Sequence, residues 1–182
     1  MRTPARIAKH PTHPMIVPIP IGLWIFSLVC DLVHRFGGAG PNWEVVAMYT
    51  MVGGIVGALI AAVPGFIDLL SLPSPIKSTA IKHMALNLTI VALFIINAWV
   101  RRNGVTDSAI WLSVIAIALL LGSGWLGGKM VYEAGVAVEP LPLPAADEHR
   151  AAAPGPRYQG PERRNPTKGT GYFGPDRRMA TQ

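Results

Sequence analysis

The sequence predicts an all-α fold: an integral membrane four-helix up-and-down bundle with a disordered C-terminal tail. Three observations carry this expectation. Charged residues make up only 14% of the 182 residues and hydrophobic ones 51%, against about 25% charged in a typical soluble domain. Four long apolar runs occupy 16–33, 45–70, 84–100 and 109–126, and each suffices for the ~17–25 residues that a spanning helix needs. The stretch 139–182 differs in kind, with 8 of the 17 prolines and 7 of the 16 Lys+Arg. The chain therefore divides into an N-terminal segment (1–12), a transmembrane domain (13–138) and a tail (139–182).

The first run follows the basic residues Arg2, Arg6 and Lys9. It exceeds a signal-peptide core of ~7–15 residues and lacks a following A-x-A site, so it reads as a retained helix. The connections at 34–44, 71–83 and 101–108 are short and rich in Gly, Pro or polar residues. Short connections make sequence neighbours antiparallel neighbours in space. With the N-terminus inside, the inner side holds Arg2, Arg6, Lys9, Lys77, Lys82 and Lys129, and the outer side Arg35, Arg101 and Arg102. The excess places both termini in the cytoplasm. Trp24, Trp43, Trp99, Trp111 and Trp125 lie mostly toward span ends, as interface anchors do.

Helices in lipid associate through close packing of small residues. Gly53, Gly57, Ala61 and Gly65 form such a stripe at spacing four in the second run, and Gly124 and Gly128 repeat it in the fourth. The single cysteine, Cys30, permits no internal disulfide and no c-type haem motif, and reads as a small buried apolar side chain. The net charge of +6 does not point to nucleic acid, because no basic patch is interleaved with aromatics in a foldable segment.

Ionisable residues in spans mark functional sites. The topology brings His13, Asp68 and His83 to one end, and Asn87 lies one turn after His83 on the same helix face. Asp31 is about 27 Å from His13 at 1.5 Å per residue and marks the other end with His34. His13 and His83 form the one histidine pair at equal depth in two helices, as axial ligation of haem requires. Two other readings stay open: headgroup-level caps, and a proton or quinone site with Asp68. His10, His34 and His149 read as solvated loop or tail residues.

The motif residues go further. His13-Pro14-x-x-Val17-x-x-Pro20-Ile21, Asp31, Gly65-Phe66-Ile67-Asp68, His83 with Asn87, and Gly124-Trp125-Leu126-Gly127-Gly128-x-x-Val131-Tyr132-x-x-Gly135-Val136 resemble a bacterial membrane family catalogued as domain of unknown function 2231, over about residues 10–138. The resemblance implies a four-helix membrane protein of the bacterial inner membrane, joined in some relatives to a Rieske iron–sulfur domain. Many relatives carry a second histidine where this chain has Pro18, so His13 and His83 are the remaining pair. A Rieske cluster needs two cysteines, and any redox protein is therefore a separate partner.

The tail repeats one motif. Tyr158, Gly160, Pro161, Glu162, Arg163 and Arg164 recur fourteen residues later as Tyr172, Gly174, Pro175, Asp176, Arg177 and Arg178. Two copies on a flexible strand suit bivalent docking to a partner protein, and seven basic residues equally suit anionic lipid. The expected function is a membrane subunit binding haem b through His13 and His83, beside Asp68 and Asn87, that exchanges electrons with a separate partner. The alternative is a cofactor-free anchor that presents the tail motif. An enzyme is the least supported class, since no nucleophile–base pair or phosphate loop is visible.

Overall fold

Apolar side chains in lipid gain nothing by facing inward, so the helices here turn apolar residues outward and the bundle is held by a few close contacts and buried polar groups. A computed structural model of the chain describes residues 2–37, 40 and 42–138. The tail motif of Tyr158, Gly160, Pro161, Arg163, Arg164, Tyr172, Gly174, Pro175, Arg177 and Arg178 lies outside the described residues. Strands β1 (Arg6–Ile7) and β2 (His10–Pro11) precede helices α1 (Thr12–Ile16), α2 (Pro18–Phe36), α3 (Asn42–Ser71) and α4 (Ser74–Val100). A 3₁₀ turn (Arg101–Asn103) and α5 (Asp107–Tyr132) follow.

The first span is α1 and α2 together, Thr12–Phe36. Pro18 and Pro20 have no N–H to donate, which interrupts the ladder. Val17, with helical dihedrals, still carries the chain from one piece into the next, its N–H reaching the His13 carbonyl at 3.1 Å. Among the described residues four helices are long and apolar enough to cross a membrane, and only 17–28% of the most apolar 18-residue stretch of each is buried within the protein. Exposed Ile, Leu and Val along all four supply a lipid-facing surface.

The helices outrun their apolar cores. The run that begins at residue 84 lies in a helix that starts at Ser74, so most of the expected 71–83 connection is helical. Hydropathy marks hydrocarbon depth, whereas backbone hydrogen bonding continues among the headgroups. Extended Pro73 ahead of the helix, with Pro75 in its first turn, sets the start. At the far end of α5, Gly135 takes φ 63°, its N–H reaching Val131 O and that of Val136 reaching Met130 O, at 3.1 and 3.0 Å. The glycine N–H returning to the carbonyl four residues back makes this an αL stop. Val136 and Met130 pack beside Leu69, Leu72 and Ala80, which gives the closing Gly-Val of the sequence motif its physical role.

Packing is most extensive between α2 and α3 and between α4 and α5; α3–α4 and α2–α5 contacts close the bundle. The up-and-down arrangement is thus two hairpins side by side. Trp24, Met51, Ile90, Phe94 and Ala116 form the central core, where the Trp24 and Phe94 rings stack at 4.4 Å. The small-residue stripe of α3 lies against the first span along its whole length, with Gly53 beside Leu23, Gly57 beside Pro20, and Ala61 and Gly65 beside His13. A Cβ on Gly57 would touch Pro20 at 3.4 Å, and one on Gly54, outside the stripe, would run into the Trp24 indole. In α5 the expected stripe is displaced: nothing lies within 4 Å of a Cβ on Gly124, whereas Gly122 faces Leu86 and Gly127 faces His83 of α4. Gly127 lies four residues after buried Ser123, on the same face, whereas Gly124 is turned about 100° from it.

Residues before the first span form a small hairpin. Ile7 faces His10 across Ala8 and Lys9, whose φ values of 49° and 69° give a two-residue turn of the I′ kind. Thr12 holds its base, with Oγ1 donating to Ala5 O at 2.9 Å. The Ala5 N–H in turn donates to Asp68 Oδ1 at 2.8 Å.

Candidate cofactor site at the histidine end

Each histidine is fixed by a neighbouring helix. His13 Nδ1 lies 2.8 Å from the Ala61 carbonyl of α3, and His83 Nδ1 2.9 Å from the Ser123 carbonyl of α5. A carbonyl only accepts, so both protons sit on Nδ1 and both Nε2 atoms keep a lone pair. One turn further along each partner helix a glycine seats the ring. A Cβ on Gly65 would fall 2.8 Å from His13 Nδ1, and one on Gly127 3.3 Å from His83 Cε1.

The expected meeting of His13 and His83 is present. Their ring centroids are 6.5 Å apart and the planes perpendicular. Two imidazoles on one metal atom, with bonds of ~2.0–2.1 Å to nitrogen, place their centroids about 6 Å apart. Asn87 holds its expected place beside His83: its amide nitrogen lies 3.1 Å from His83 Nε2 and donates to His83 O at 2.9 Å. Nε2 of His13 has no hydrogen-bond partner among the described residues. Both rings are half-buried.

Asp68 is at the same end but serves another purpose, as the buried acceptor that holds the N-terminal hairpin through the Ala5 N–H. No group of three or more His, Cys, Asp or Glu suited to a metal ion occurs among the described residues.

The opposite end holds a polar cluster that the sequence reading missed. Arg101, counted there among the charges of the outer membrane side, is buried and clasps Asp31 with both terminal nitrogens, at 2.8 and 2.7 Å. Asn97 accepts from Arg101 Nε at 3.3 Å and donates to Ala109 O at 2.8 Å and Ser113 Oγ at 2.7 Å. The available signal was an aspartate and an arginine each lying at the end of an apolar run. His34, expected in a solvated loop, instead ends α2 with Nε2 3.8 Å from Glu44 Oε2. Cys30 is fully buried, as expected.

The sequence model of a family described as "Predicted membrane protein (DUF2231)" matches residues 9–140, in agreement with the resemblance read from the motifs. No curated protein and no solved structure matches the chain.

Proposed function

We propose that this chain, which belongs to the DUF2231 family of predicted membrane proteins, is an electron-transfer subunit that binds haem b through His13 and His83. The observation that carries the reading is the donor set: two imidazoles, 6.5 Å apart, with their Nδ1 protons engaged by backbone carbonyls. An outer-shell hydrogen bond of this kind fixes the tautomer and raises the basicity of the other nitrogen in metal-ligating histidines. Two donors are too few for a zinc ion, which takes four ligands or three with water. They are sufficient for haem, whose macrocycle fills the remaining positions and which supplies single-electron chemistry when bound.

The protein's own residues do the rest. Gly65 and Gly127 let the rings lie against the helix backbones, and the two histidines stand on opposite hairpins, between which packing is thinner than within them. Asn87 occupies His83 Nε2 and turns away when that atom takes a ligand. Asp68 keeps the N-terminal hairpin beside the site. Two of the three basic residues that oppose a cytoplasmic histidine end have acidic partners, Arg101 with Asp31 and Arg35 with Asp107. This supports cytoplasmic termini in a bacterial inner membrane, with the tail available to a separate redox protein or to anionic lipid.

The test is an oxidised and a dithionite-reduced visible spectrum of the full chain, purified in detergent after expression with ample haem. A Soret band that is lost in His13→Ala and in His83→Ala is expected. Its absence from the wild-type protein removes the haem reading and leaves a cofactor-free anchor that presents the tail motif.

A further inference from the structure

The polar contacts of the first hairpin recur in the second at constant offsets. His13 reaches the Ala61 carbonyl 48 residues on, and His83 the Ser123 carbonyl 40 residues on. Ser27 donates to the Ala47 carbonyl 20 residues on, and Asn97 to the Ala109 carbonyl 12 residues on. Both spacings shorten by eight, which places the whole difference in the connection between the two helices of the hairpin. First-helix positions thus correspond at a shift of 70 and second-helix positions at a shift of 62. Burial follows the same rule: Trp24 with Phe94, Ser27 with Asn97, Ala47 with Ala109, Met51 with Ser113, and Ala61 with Ser123 are all buried.

A second, independent property singles out the relation as a two-fold. On a two-fold axis a residue meets its own equivalent. Three such pairs, each 70 apart, touch at three depths of the bundle: His13 with His83, Trp24 with Phe94, and Asp31 with Arg101. We infer that the chain is one helical hairpin built twice in tandem, with its two-fold axis along the membrane normal, and that the histidine site is the axial site to which the halves contribute equally. Parallel repeats about such an axis are known in membrane proteins. The equivalence of the ligands rests on the haem reading; the duplication does not.

The equivalent positions have diverged unequally. At the histidine end the repeated unit keeps its chemistry, since both halves have a histidine, a carbonyl acceptor and a glycine four residues after it (Gly65, Gly127). At the far end it is made complementary. Two identical halves would bring like charges together on the axis, whereas Asp31 opposite Arg101 attracts and selects the fused arrangement.

The experiment exchanges the charges across the axis in the full chain. Asp31→Arg and Arg101→Asp are made singly and together, and a further variant adds Ser27→Asn with Asn97→Ser so that the hydrogen-bonding neighbour moves with the arginine. Each single variant is expected to lose folded, monodisperse protein in detergent. Either the double or the quadruple exchange is expected to restore melting to within a few degrees of wild type. If both exchanges melt no better than the worse single variant, the two-fold relation is overturned. For the ligands, His13→Met and His83→Met are expected to give the same spectrum as each other in the haem-loaded protein, and unlike spectra overturn their equivalence. A wild-type protein without haem removes that comparison together with the proposed function, and the charge exchange then decides the duplication alone.

Discussion

The two ends of the bundle hold similar numbers of polar side chains and use them in opposite ways. At one end both oxygens of Asp31 and all three guanidinium nitrogens of Arg101 are engaged, inside a fully buried cluster. At the other the histidines are half-buried, one ring nitrogen of each is tied to backbone, and Nε2 of His13 has no partner among the described residues. A buried charge pair whose members answer each other is inert toward ligands and severe when broken. A pair of imidazoles of which one keeps a free lone pair and the other gives its own to the Asn87 amide is less costly to change. The difference suits the first end to folding and the second to the ligand chemistry of the proposed function.

The sharpest way to break the contrast is at the ion pair. Arg101→Ala leaves the Asp31 carboxylate buried without its partner and is expected to cost ~3–5 kcal/mol, with the double Asp31→Ala/Arg101→Ala variant losing less. Equilibrium unfolding in mixed detergent–SDS micelles measures both. A double variant less stable than Arg101→Ala would show that the pair is not what the end depends on.

The glycines come next. Gly65→Ala pushes a Cβ into the His13 ring, and Gly127→Ala meets His83 less closely, so the first is expected to cost ~1–3 kcal/mol and the second less. Both should weaken the Soret band more than they lower stability. The reverse order of effects would contradict the seating of the rings.

Asn87→Leu removes the amide at His83 Nε2. A loss of ~0.5–1.5 kcal/mol is expected for the missing hydrogen bonds, together with tighter uptake of added haem by titration. Weaker uptake would mean that Asn87 assists the ligand rather than competing with it. The smallest effect belongs to the hairpin turn. Ala8→Asn with Lys9→Gly relieves two positive φ values and is expected to stabilise by about 1 kcal/mol, visible as slower proteolysis of the N-terminal segment with no spectral change.

How legible the site was depended on the range of the contact. The Asn87–His83 bond follows from a separation of four on one helix, and the meeting of His13 and His83 at one depth follows from counting spans. Gly127 was hidden because Gly124 and Gly128 fit a spacing pattern better, and Asp31–Arg101 was hidden because each residue alone reads as a terminal charge. His83, Asn87, Asn97 and the C-cap Arg101 share one face of α4 at helical spacing and so mark its inward side, but the residue that each meets on a facing helix leaves no pattern within either helix.

The sequence by itself determined the number of spans, their order, the family and the end at which the histidines gather. These depend on transfer to lipid and on connection length, which are properties of single segments. The partner that each inward face meets was left to the tertiary structure, and with it the exact rotation of each helix, the pairing of Asp31 with Arg101, the seating of the rings on Gly65 and Gly127, and the two-fold relation of the hairpins. Lipid and protein are equally apolar neighbours for these side chains, so only close packing and polar contacts between helices could select those rotations.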